Sequence, residues 1–219
     1  MGLNPFDRKS FSDSCHVHSG SSVVGRSQMG LSSVVRHLIL VLGILLVLQS
    51  VSVGIVAEVP KRDDGIHTQP WIRSLTFLDL KEDLTEAKKA GKGLVVLFEQ
   101  PGCVSCQRLH EVNFSNKEVV GYITKNFDVL QINMYGDNEV TDMDGSVINE
   151  RKFAERMRIH FTPTTVFFND QGREVFRVPG YIGAQFYKRA FEYVVDKGPQ
   201  KKILFPRWQR ERRNQKSGS

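Results

Sequence analysis

The stretch Leu94-Val95-Val96-Leu97-Phe98-Glu99-Gln100-Pro101-Gly102-Cys103-Val104-Ser105-Cys106 constrains this chain more than any other. Leu94 to Phe98 is an apolar run of strand composition, and Pro101-Gly102 breaks it. Gln107 to Val112 then reads as helix, so Cys103 falls near a helical first turn. Unpaired backbone N–H groups and the helix dipole favour a thiolate there over a thiol. One activated sulfur with a second three residues on is the minimum for thiol–disulfide exchange: Cys103 attacks a disulfide and Cys106 resolves the mixed disulfide.

The rest of the cysteine usage agrees. Cys15, Cys103 and Cys106 are the three cysteines of the 219-residue chain, too few for a disulfide framework. A closed zinc site needs four ligands, and His110 is the one nearby addition to the pair, so redox chemistry is the better reading. Cys15-His16-Val17-His18 offers three close ligands, but in a flexible tail without fixed geometry. The formal charge of +6 points to nucleic acid until it is located. Asp196 to Ser219 holds eight Lys/Arg against two Asp/Glu, so the remainder is near neutral and no nucleic-acid partner is expected.

Residues 1–37 are expected as a disordered or extraneous N-terminal extension, Ser- and Gly-rich up to Gly30. A start at Met29 would give Met-Gly-Leu-Ser-Ser-Val-Val-Arg, an ordinary short n-region. Leu38 to Ala57 is uncharged and long enough either to span a bilayer or to serve as a signal peptide. Arg26 and Arg36 precede it, while Lys61-Arg62-Asp63-Asp64 sums to zero. The N-terminus is therefore expected inside and everything from Glu58 onward outside, periplasmic and anchored to the inner membrane if the span is retained.

Residues 58–70 read as a polar linker, 71–199 as the folded domain and 200–219 as a basic tail. Within the domain, Trp71 to Phe77 is a strand candidate. Asp79 with Glu82 caps a helix that Gly91 ends, and Ser115 with Glu118 opens a second. Phe127 to Met134 is the next strand, Tyr135 to Val147 an insertion or hairpin, and Asn149 caps a third helix. Thr164 to Phe168 and Arg173 to Val178 form an antiparallel hairpin about Asn169-Asp170-Gln171-Gly172. A last helix places Phe186, Ala190 and Tyr193 or Val194 inward. This order describes an α/β domain, a central mixed sheet with helices on both faces.

Strand, Cys-x-x-Cys on a helix, then Thr162-Pro163-Thr164 before a hairpin and Gly180 together resemble the thioredoxin superfamily. Phe-Glu-Gln-Pro-Gly-Cys at 98–103, Tyr-Gly-Asp at 135–137, Phe-Thr-Pro-Thr at 161–164 and Val-Pro-Gly-Tyr at 178–181 closely resemble the SoxW-like periplasmic thioredoxins. The resemblance covers about residues 72–206. It implies a thioredoxin-like fold and a reductant of protein or small-molecule disulfides. No cofactor is implied beyond the redox-active pair Cys103–Cys106. It further implies electrons from a membrane thiol–disulfide transporter and partners in sulfur oxidation or cytochrome maturation. Pro163 would be the family's cis-proline, with Thr162 offering its backbone to an extended substrate.

Three departures bear on the site. Val104-Ser105 replaces the dipeptides usual in the family, which leaves the reduction potential open. Leu97 stands where typical thioredoxins carry a buried Asp that deprotonates the resolving cysteine. Glu99, two residues on and on the same side of the strand, either substitutes as general base or only caps or salt-bridges near the turn. His110 reads as a solvated surface histidine that at most tunes the thiolate. The acidic residues Asp137, Glu139, Asp142 and Asp144 fit hairpin turns better than a calcium loop. Two other functions share these residues: a disulfide-forming oxidase with the same site, and a membrane-tethered binding module without turnover.

Overall fold

The computed structural model describes residues 32–47, 59–73 and 78–217. They belong to two separate units, divided between Ile55 and Val56. The first contains helix α1, Ser33–Val47, on which Leu38, Ile39, Leu40, Val41 and Leu42 are exposed. The apolar span expected over residues 38–57 thus lies partly outside the described residues, as do Cys15 and Met29 entirely. Among the described residues no helix is long and apolar enough to cross a membrane.

The second unit runs α2 (Leu80–Lys89), β1 (Gly93–Glu99), α3 (Val104–Arg108) with a π-helical turn (Leu109–Asn113), α4 (Lys117–Asn126) and β2 (Phe127–Asn133). A short pair follows, β3 (Glu139–Thr141) and β4 (Val147–Asn149), then α5 (Glu150–Arg156). Hairpin β5 (Thr164–Phe168) and β6 (Glu174–Pro179) and helices α6 (Ala184–Val195) and α7 (Phe205–Ser217) complete it. The main sheet has the order β2-β1-β5-β6. β1 pairs parallel with β2, Leu97 opposite Gln131, and antiparallel with β5, Leu97 opposite Thr165. Of the strand expected at Trp71–Phe77, Arg73 bridges to Leu130 and residues 74–77 lie outside the described residues.

The alternation of β1 builds the two layers. Val95 and Leu97 join Val119 and Ile123 of α4 and Ala190 and Phe191 of α6 in one core. Leu94, Val96 and Phe98 join Leu80 and Leu84 of α2 and Phe153 of α5 in the other. Every one of these side chains is buried, and each apart from Ala190 contributes about 1.5–3 kcal/mol on the usual transfer scale. The expected mixed sheet with helices on both faces is therefore present. The same period of two turns Glu99 towards the face of Leu97, where no apolar layer can satisfy a carboxylate.

Helix starts follow side-chain chemistry. Asp79 accepts from the N–H groups of Lys81 and Glu82, and Asn149 from that of Lys152. The cap of α4 is Asn116, accepting from Glu118 and Val119, rather than Ser115. Ser115 turns back to the Glu111 carbonyl at 2.6 Å, the end of the preceding helix claiming its hydroxyl first. Phe186, expected inside, is exposed; Tyr187, Ala190, Phe191 and Tyr193 form the inner face of α6.

Two stretches that read as appendages are packed. Ile66 and His67 are buried, and Arg62 donates to the Gln131 carbonyl at 3.3 Å while Asp64 accepts from Asn133 at 3.3 Å. Residues 61–69 thereby lie over the far end of β2. In the basic tail, Trp208 is buried on α7 and its indole N–H donates to Asp196 at 3.1 Å.

Candidate active site

Pro101-Gly102 turns the chain out of β1, with Gly102 at φ +70°, a region that a side chain disfavours. Cys103 follows in extended conformation as the N-cap of α3, and Cys106 lies within the helix. The two form a disulfide with Cα atoms 5.2 Å apart. The Cys106 N–H points at Cys103 Sγ, 3.1 Å away. Cys103 is 8% exposed and Cys106 1%, so the first sulfur is the one a partner can reach. In the reduced state that N–H and the first-turn dipole would stabilise a Cys103 thiolate.

The loop before β5 completes the outer side of the site. The Thr162–Pro163 peptide bond is cis. Thr162 Oγ1 donates to Cys103 Sγ at 3.3 Å, and its carbonyl oxygen lies 3.6 Å from the same sulfur. Gly180 N–H donates to the Pro163 carbonyl at 2.7 Å, which ties the loop to the end of β6. Val104 and Phe161 flank the pair and are largely exposed, leaving an apolar rim.

Glu99 and His110 lie inside. The His110 side chain is fully buried, not on the surface as its spacing suggested. Its Nε2 stands 3.2 and 3.1 Å from the two oxygens of Glu99, itself fully buried. The π turn, with Phe114 N–H bonded to the Leu109 carbonyl, adds a residue to the helical repeat and brings Leu109, His110 and Asn113 inward together. Glu99 caps no helix. Its second donor is Gln131 Nε2, which also donates to the His67 carbonyl. On the other side of the imidazole, Gln69 Nε2 is 3.4 Å from Nδ1, and the His67 ring centroid is 5.8 Å away. Burial, and then the nearby His110, hold His67 below its ordinary value.

Of the residues singled out in the sequence, Cys103, Cys106, Thr162 and Pro163 meet at one point, and Glu99 lies in the polar cluster built on the same helix. Gln131, Gln69 and His67 are additional. Gln131 carried a legible signal, a lone amide in the apolar run Val129-Leu130-Gln131-Ile132. Nothing local marked Gln69 or His67, because their burial depends on a segment that folds back over β2. Asp142 and Asp144 are held by Arg156 at 2.7 and 3.5 Å, and Asp137 by Arg151 at 3.1 Å.

A family model described as a thioredoxin-like domain matches residues 80–195. The chain belongs to the thioredoxin-like family. Solved structures with a similar fold include a thioredoxin-fold protein from Helicobacter pylori, 22% identical, covering 55% of this chain and 80% of that one with a TM-score of 0.46. A putative disulphide-isomerase from Bacteroides thetaiotaomicron is 25% identical over 61% of this chain and 96% of its own, with a TM-score of 0.45. The oxidised DsbD C-terminal domain of Neisseria meningitidis is 14% identical over 51% and 88%, with a TM-score of 0.39. No curated protein matches the chain. The residues matched by the thioredoxin-like family include the Cys103–Cys106 disulfide at the start of α3.

Proposed function

We propose that this protein is an extracytoplasmic thiol–disulfide oxidoreductase that reduces disulfides of protein or small-molecule partners. The observation that carries this reading is the asymmetry of the pair: a reachable Cys103 at a helix N-cap, a buried Cys106, and Thr162 against the outer sulfur. In the reduced protein the Cys103 thiolate attacks one sulfur of a substrate disulfide and releases the other as a thiol. Cys106 then loses its proton, attacks Cys103 and expels the second substrate sulfur. Two electrons and two protons leave the dithiol, which ends as the Cys103–Cys106 disulfide. Thr162, before Pro163, presents its carbonyl beside the reacting sulfur, in position to hold an extended substrate backbone.

The wider setting belongs to the same reading. The motif resemblance supports a SoxW-like role, with electrons supplied by a membrane thiol–disulfide transporter and used in sulfur oxidation or cytochrome maturation. The charge bias about residues 38–57 supports export, with that span as signal or inner-membrane anchor. A reporter fused after Ser219 is expected to be active only outside the cytoplasm.

Cys106→Ala should accumulate mixed disulfides with partners and Cys103→Ala none. Equal trapping by both variants would overturn the assigned roles. A measured potential sets the direction: near the thioredoxin value of about −270 mV the protein is a reductant, and near about −120 mV a disulfide-forming oxidase. Failure to reduce insulin, with the disulfide intact and the fold unchanged, would leave a binding module.

A further inference from the structure

Resolution of the mixed disulfide needs a proton acceptor for Cys106, and position 97, a leucine, cannot supply one. A thiol of ordinary pKa, about 8.5, is mostly protonated at neutral pH. Behind the cysteines the protein instead buries an acid and an imidazole in contact. Removing two ionisable groups from solvent is costly unless each is matched, and here every polar atom of both has a neighbour. Such an arrangement fixes one tautomer. Both oxygens of Glu99 face Nε2, so the ring proton sits there. Nδ1 is left with its lone pair, approached by Gln69 at 3.4 Å, a distance too long for a strong hydrogen bond. Cys106 stands one turn before His110 on the same helix, and helical side chains lean towards the N-terminus.

We propose that His110 takes the Cys106 proton at Nδ1 during resolution, with Glu99 holding the imidazole and stabilising the imidazolium. Gln131, shared between Glu99 and the His67 carbonyl, and Gln69 are positioning residues. The inference rests on the oxidoreductase reading above. Its step balances: the S–H bond of Cys106 breaks and N–H forms at Nδ1. The thiolate forms the Cys103–Cys106 bond as the bond from Cys103 to substrate breaks. The departing substrate thiolate takes up a proton as the imidazolium returns its own to solvent.

Among the ionisable groups around the pair, His67 of the preceding segment interacts with both His110 and Glu99, Tyr187 of α6 interacts with Glu99, and Lys61 and Glu111 act on His67. Burial favours neutral His67 and protonated Tyr187, so neither competes for the proton near neutral pH.

Stopped-flow reduction of a model disulfide separates attack from resolution. His110→Gln should slow resolution ~100-fold near neutral pH, with the deficit shrinking to ~3-fold by about pH 9 as hydroxide takes over. Attack by Cys103 should change less than ~2-fold. Glu99→Gln should behave alike, and the double variant should lose nothing further, since the two act as a unit. A pH profile parallel to wild type in both single variants would overturn the proposal. Wild-type protein with ring-labelled histidine supplies a test independent of variant folding: ¹⁵N shifts should place the His110 proton on Nε2, and a proton on Nδ1 would overturn it. Absence of any mixed disulfide from the Cys106→Ala protein would remove the oxidoreductase reading itself, an outcome distinct from a normal attack step with an unaltered resolution profile.

Discussion

At the scale of single residues, the buried polar atoms decide more than the apolar ones. Glu150 is fully buried, accepts from the Asn133 N–H and the Asn138 amide at 3.0 Å each, and is pushed above the ordinary carboxylate range by burial. Gly136 leaves the space it needs: a Cβ there would fall 1.9 Å from Glu150 Oε2. Gly136→Ala should therefore lose about 2–3 kcal/mol in denaturant unfolding, from overpacking and a displaced carboxylate. Gly121→Ala, in the exposed middle of α4 with nothing near its Cβ, should gain about 0.5–1 kcal/mol. His67 gives a pH signature of known sign. Its folded value lies below the ordinary 6.5, so the unfolded chain takes up the proton first as pH falls. The contribution is full above 6.5 and is lost as pH falls through the folded value. Melting of wild type should drop across that window, and His67→Phe should flatten the drop. The cysteines were legible because their chemistry is written in adjacent residues. His110 was not, since only the π turn and the returning segment 61–69 take it out of water.

At the scale of elements, caps and alternation were readable, and their precise placement depended on competition for the same side chain. Asp79 and Asn149 follow directly from an acceptor before an apolar-periodic run. Ser115 and Asn116 are both good caps by composition, and the structure gives the role to Asn116 because Ser115 already closes the helix before it. Asn116→Ala should then cost about 1 kcal/mol, while Ser115→Ala should cost less than half of that. Equal losses from both, measured by thermal unfolding, would indicate a shared cap. Phe186 misled for a related reason. Helical spacing admits two inner faces on α6, and the sheet selects Tyr187 and Phe191, which share one core with Val178 of β6.

At the scale of the whole domain, the redox end and the stabilising end lie at opposite ends of β1. The cysteines follow Glu99, whereas α7 packs on Phe176, which pairs with Phe167, which pairs in turn with Val95 near the strand's start. Seven residues of strand span roughly 20 Å between those ends. On α7, Trp208 meets Tyr193 at 5.6 Å and Phe205 at 6.1 Å, and the Arg212 guanidinium covers its ring at 5.3 Å. Tyr193 also donates its hydroxyl to the Ile203 carbonyl at 2.6 Å, pinning the connection to α7. Charge composition concealed this role, because basic residues crowd the outside of a helix whose inner face is aromatic. Trp208→Ala should lower stability by about 2–4 kcal/mol, chiefly through lost aromatic burial, since Asp196 loses the indole bond but keeps Arg212 at 3.1 Å. For a domain of this size that corresponds to roughly 5–15 °C in melting temperature. The rate of disulfide reduction per folded molecule should stay within about twofold of wild type, because among the described residues the hydrogen-bond partners of Cys103, His110 and Glu99 all lie outside α7. A variant with unchanged melting but altered reduction kinetics would reverse that division between the two ends.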